Sequence, residues 1–152
     1  MQAWRRSRAK TSEDVRELRH QLLKVTHFKI KQAIQMGFFL EAIALIDSVS
    51  TDRFESILSR ATGKELVFRE LAATIKEFKI LKIQFIDDHS LVDEFEKWIH
   101  SRNRWIHEFA RLAENENMNY RDRRKATQAC AIAGHELLKR LIRADKKLGS
   151  AL

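Results

Sequence analysis

The chain is 152 residues long with 44% hydrophobic content, enough for one domain that buries roughly two-thirds of the surface its unfolded chain exposes. It has no proline, four glycines and a single cysteine, which excludes an internal disulfide and any zinc site built on paired cysteines, and favours a nearly all-helical fold. The net charge of +8 is uneven: residues 1–10 carry four basic and no acidic residues, and residues 121–152 carry nine basic against three acidic.

Clustered basicity favours a polyanion partner, RNA above all, through release of condensed counterions. Lys and Arg on the exposed face of a long helix account for the same numbers, so charge alone decides nothing. No apolar run approaches the 18 or so residues a transmembrane helix needs. Residues 1–10 are Arg-rich but lack the apolar centre of a secretory signal, and read as a basic mobile tail before one domain over residues 11–152. A lone cysteine suits a reducing, cytoplasmic setting.

In chain order, five helical segments are predicted. The first starts after Thr11 or Ser12, either of which can cap it, and runs through Val15, Leu18, Leu22 and Val25 toward Met36, with a break near Thr26 conceivable and Gly37 as its stop. The second, over residues 38–60, is apolar almost all round as far as Ile46 and continues its face through Val49, Phe54, Ile57 and Leu58, which places it at the centre of a bundle. Glu41, Asp47, Asp52 and Arg53 interrupt it, as structural ion pairs or as the lining of a site.

The third helix, over residues 66–82, spaces Phe68, Leu71, Ala72, Ile75, Phe78 and Leu81 for a core. Residues 83–90 are irregular, and Asp87, Asp88 and Ser90 are natural caps for the next helix. That fourth helix, over residues 91–113, has the apolar stripe Leu91, Phe95, Trp98, Ile99, Ile106, Phe109 and Leu112. Residues 114–119 break the chain again. The last helix spans residues 120–148, with Gly149 as its stop, and its small residues between Ala126 and Gly134 permit close approach of a neighbour.

The fourth helix carries the feature of greatest interest. The 3.6-residue period puts Arg102 on the apolar stripe, where a leucine belongs, and an unpaired charge there costs several kcal/mol. Glu41 or Asp52 is the partner expected for it. Asn103 and His107, four apart, share another face, where the amide can orient the imidazole. Trp98, Trp105 and Ile106 add bulky apolar surface beside these polar groups, a combination that suggests an interface between copies. His100 with His107 and Glu96, and His20 with His27, have helical spacing but lack a further metal ligand, and His135 reads as packed or exposed; no metal or cofactor is expected.

Arg102, Asn103 and His107 resemble the R-x4-6-H signature of the HEPN (higher eukaryotes and prokaryotes nucleotide-binding) domains. The stretches at residues 37–47 and 52–56 are similar to the second helix of small prokaryotic HEPN proteins. The resemblance implies a compact all-α bundle of four to five helices that pairs as a homodimer, with the motifs of two copies facing across a cleft. It also implies a metal-independent endoribonuclease of toxin–antitoxin or phage-defence type. Arg102 would then hold the scissile phosphate, His107 would transfer a proton and Asn103 would organise the two.

Phe109 stands where the branch neutralised by nucleotidyltransferase antitoxins has a tyrosine, so the resemblance leaves a neutralising partner unidentified. Other outcomes of the same motif are an inert nucleic-acid or nucleotide-binding module, or a helical scaffold in which Arg102 is a structural ion pair. Residues five apart on an unbroken helix point about 140° away from each other. Arg102 and His107 therefore meet only if the arginine wraps round, the helix loosens, or the two act in different subunits.

Overall fold

A computed structural model describes residues 13–64, 69–111 and 117–151. Among them are five α-helices and no strand: α1 (Glu13–Met36), α2 (Phe39–Thr62), α3 (Leu71–Ile80), α4 (Leu91–Glu108) and α5 (Tyr120–Ala151). None is long and apolar enough to cross a membrane. The basic tail, the Thr11 and Ser12 caps, the predicted start of the third helix at Leu66 and Phe68, and Leu112 lie outside the described residues.

Helix α2 is the centre of the bundle, touching each of the other four. Its buried face of Phe39, Ala42, Ile43, Ile46, Val49, Phe54, Ile57 and Leu58 is the one its sequence pattern predicts. Phe54 is the hub of an aromatic cluster, edge-on to Phe78 at 5.2 Å and to Phe95 at 5.0 Å between ring centroids. Such geometry sets the positive edge of one ring against the negative face of another. α2 stops where Gly63 turns left-handed at φ 67° and donates its N–H to Ser59 O, and Gly37 ends α1 in the same way at φ 79°.

Several boundaries and faces differ from the sequence reading. α1 continues through Thr26, whose hydroxyl donates back to Leu22 O. It packs through Leu23, Ile30, Ala33 and Ile34, whereas Leu18, Leu22 and Val25, the residues that read as its core stripe, are exposed. The two stripes lie roughly 100° apart round the helix, and both fit a helical period; only the position of α2 selects between them. α3 ends at Ile80 because Lys82 takes a left-handed φ of 52°. α4 ends at Glu108 rather than at residue 113. α5 runs through Gly149 to Ala151, so that glycine is not a stop.

Two features fix α4, the helix that carries the motif. On its inner side Trp98 lies on Gly134 of α5, where a Cβ would come within 2.5 Å of the indole, and the indole N–H donates to Cys130 O at 2.9 Å. The small-residue stretch of α5 thus lets the two helices close on each other. At its start, Ser90 holds the N-cap position without capping the backbone and instead donates its hydroxyl to Glu94. Arg140 of α5 then binds Asp88 and Glu94 together.

Candidate functional site

Arg102 emerges from the middle of α4 on the side facing α2, as the apolar period requires. Its side chain is only 12% exposed, and its guanidinium donates to Asp47 of α2 at 2.5 Å. The second terminal nitrogen donates to the amide oxygen of Asn103, while Nε, also buried, has no hydrogen-bond partner. A buried guanidinium with two terminal nitrogens engaged is held in one orientation.

The acid partner is therefore Asp47, and neither of the two expected residues. Asp52 is bound by Arg19 of α1 at 2.7 Å, and Glu41 is exposed near Phe38 and Arg124 at the other end of α2. On α2 a separation of five residues turns a side chain by about 140°, so Asp47 and Asp52 face different neighbours. The fourth charge, Arg53, pairs with Asp145 of α5 at 3.3 Å.

Burial dominates the electrostatics of the pair. It pushes the Asp47 carboxyl above its ordinary value, and Glu70 nearby pushes the same way, while Arg102 pulls it down by a smaller amount. Burial and Glu70 together outweigh the attraction of Arg102, even at hydrogen-bond distance.

Asn103 is half-buried, and its amide oxygen turns to Arg102. His107, one helical turn further on, is exposed beside the end of α4. Thus Arg102 and Asn103 are joined by a hydrogen bond, and His107 sits at the surface over the next turn. The helix end beneath it is closed by a residue with no signal in the sequence. Arg123 of α5 is buried and donates to the carbonyl of Glu108, the last residue of α4, to that of Phe109 just after it, and to Met118 O. These are acceptors that the helix cannot satisfy internally.

The apolar surface expected beside the motif is largely absent. Trp98 and Trp105 are 4% and 5% exposed and belong to the core, leaving Ile106 as the exposed member of the three. An open groove of about 930 Å³ does run between α4 and α5. Lys97, His100 and Arg104 stand on its α4 side, and Ala126, Ala129 and Ala133 on its α5 side. No group of three or more His, Cys, Asp or Glu among the described residues could hold a metal ion. His135 is half-buried, and burial together with Lys139 lowers its imidazole from the ordinary value.

Comparison of the chain with protein-family models, with curated proteins and with solved structures found no match.

Proposed function

We propose that the chain is a metal-independent endoribonuclease of HEPN type, of the toxin or phage-defence kind, whose half-site is Arg102, Asn103 and His107. The observation that carries this reading is the Asp47–Arg102–Asn103 chain of hydrogen bonds, whose last two members lie on the same helix as, and one turn before, an exposed histidine. An ion pair whose acid is raised by burial is a weak stability device, and replacing such pairs with apolar residues often costs nothing. Its presence on an otherwise apolar stripe fits a guanidinium held in place for a ligand.

The chemistry needs little more. In RNA the 2′-hydroxyl attacks the adjacent phosphorus while the 5′-oxygen leaves, so a base must take the first proton and an acid must supply the second. The histidine side chain, with an ordinary pKa of about 6.5, serves either role near neutral pH. One copy presents one His107, and a second copy across a shared cleft would provide the other. Arg102 would stabilise the charge that builds on the phosphorane oxygens. The basic termini would supply non-specific attraction for the RNA backbone.

A second reading is favoured by the same pair. Asp47 neutralises much of the Arg102 charge and the side chain is nearly enclosed, as in a structural ion pair of an inert RNA-binding or scaffold module.

Cleavage of structured RNAs separates the two. On the nuclease reading, His107→Ala and Arg102→Ala each slow cleavage by about two or more orders of magnitude, EDTA changes nothing, and products end in 2′,3′-cyclic phosphate. Wild-type protein that cleaves none of several structured RNAs, or a His107→Ala protein that cleaves as well as wild type, overturns it.

A further inference from the structure

We infer that the pocket where α2 and α5 begin binds one nucleotide unit, an aromatic base with its phosphate, either free or as an unpaired residue of an RNA. The inference stands apart from the nuclease reading, because it concerns binding alone and uses none of Arg102, Asn103 and His107. The pocket holds about 290 Å³, near the lower end for ligand sites, which suits a base and its phosphate rather than a folded peptide segment.

Its walls are aromatic. Phe38 and Tyr120 line it and are 53% and 67% exposed, although the backbone around each is fixed. Phe38 donates its N–H to Ala33 O at 2.8 Å, and its own carbonyl accepts from Ala42 N at 3.0 Å. Tyr120 meets Phe109 edge-on with ring centroids 6.0 Å apart, and the Phe109 carbonyl is held by Arg123 at 2.8 Å. Large rings kept in water on a rigid frame are stacking surfaces for another planar group.

Two charged side chains complete the lining, one of each sign. Arg124 reaches from α5 to α2, its guanidinium 5.4 Å from the centre of the Phe39 ring, and lies against Gly37, where a Cβ would strike it. Glu41 lines the same pocket. Among the described residues neither is in an ion pair. The Thr127 hydroxyl beside them already donates to the carbonyls of Arg123 and Arg124.

The pocket therefore offers stacking rings, a cation and a group that only accepts hydrogen bonds. A nucleotide carries the complement of all three. Its phosphate takes the guanidinium fork, its base stacks on Phe38 and Tyr120, and N–H groups on the base edge donate to Glu41. Guanine presents two neighbouring N–H donors and can engage both carboxylate oxygens. Uracil presents one, between two carbonyl oxygens that a carboxylate repels. Arg121 and Lys125, with only Asp122 against them in the first turns of α5, favour the phosphate end.

Calorimetric titration of the full chain with GMP tests this, at salt high enough to suppress non-specific attraction for phosphates. GMP should saturate at one molecule per chain. Phe38→Ala and Tyr120→Ala, at exposed positions and checked for unchanged helical circular dichroism, should each weaken binding by about tenfold or more. Arg124→Gln should weaken GMP by a similar factor and leave guanosine unchanged, since only the phosphate contact is lost. Glu41→Gln should abolish the preference for GMP over UMP. A short oligouridylate containing one guanosine separates the two sources. If GMP displaces it, a free nucleotide fills the pocket; if it binds in a manner that Tyr120→Ala weakens while GMP does not bind, the pocket takes unpaired RNA. Saturable binding by neither, or binding that Tyr120→Ala and Arg124→Gln leave unchanged, overturns the proposal. A preference for GMP that survives Glu41→Gln overturns the role of that carboxylate. Saturation by phenylalanine amide, with no response to GMP or the oligonucleotide, overturns the proposal in favour of a peptide ligand.

Discussion

Gly134→Ala is the sharpest test of how α4 is placed. A Cβ built on Gly134 falls 2.5, 2.6 and 2.7 Å from three atoms of the Trp98 indole, roughly 1 Å inside van der Waals contact. Trp98 is 4% exposed and its N–H is committed to Cys130 O, so the ring cannot swing out without losing both burial and a hydrogen bond. Overpacking of this kind costs about 1–3 kcal/mol, and loss of the indole bond about 1 kcal/mol more. Alanine returns about 1 kcal/mol through its better helix propensity. The net is a loss of about 2 kcal/mol, a fall in Tm of roughly 4–8 °C for a chain of this size. Thermal and urea unfolding followed by circular dichroism reads it directly. In a Trp98→Leu background the clash disappears, and Gly134→Ala should become neutral or stabilising, a coupling that a double-mutant cycle isolates. A Gly134→Ala protein as stable as wild type, or more stable, would refute the close α4–α5 contact and with it the placement of the motif helix.

Arg102→Met alone strands a part-buried carboxylate and should destabilise the fold by about 2 kcal/mol, below the range for a fully buried pair because Asp47 remains partly exposed; adding Asp47→Leu should recover most of that loss in urea titrations. Arg123→Met should cost about 2 kcal/mol, chiefly through the Phe109 carbonyl it leaves without this donor, since Glu108 O keeps the Arg111 N–H, and hydrogen exchange should show fraying of the last turn of α4. Acid stability depends on Arg140. Its guanidinium, with Ser90, depresses the Glu94 carboxyl from 4.5 to about 2, and it also lowers Asp88. A depressed folded-state pKa gives stability that is present above the ordinary carboxylate value and is lost as pH falls toward 2. Wild type should therefore lose stability across that window and Arg140→Gln should flatten the slope, modestly and less at high salt because the cluster is largely solvent-accessible.

What the sequence reveals here, and what it hides, follows from which interactions are local. The helices, the central position of α2 and the stop at Gly37 are legible because they depend on period and on glycine conformation, which neighbouring residues determine. The anomaly of Arg102 is legible for the same reason: a charge at an apolar phase of α4 must find a partner. The partner is legible only in part. Glu41 and Asp52 are the acids the sequence reading names, yet at about 100° per residue Asp47 shares the azimuth of Phe54 and Leu58 on the buried face of α2, while Glu41 and Asp52 lie on the opposite side. The height of Asp47 along α2 matters once the crossing of α2 and α4 is set by Trp98 on Gly134 and by the phenylalanine cluster. The same limit explains α1, where two apolar stripes share one helix and the period cannot say which one the bundle takes. It explains the tryptophans too. A bulky ring beside a polar motif reads as an interface until a glycine on another helix opens the slot that buries it. Aspartate at position 47 is thus better understood as the residue on which the whole candidate site turns. If Arg102 is held for RNA, Asp47→Asn should reduce cleavage while keeping the fold, since it preserves the shape and one acceptor but removes the charge that aims the guanidinium. If the pair is structural, the same change should relieve the burial cost of the carboxylate, leave RNA binding untouched, and remove the stabilising contribution that a carboxyl raised by burial makes as it is protonated, so that the variant loses stability on acidification more steeply than wild type.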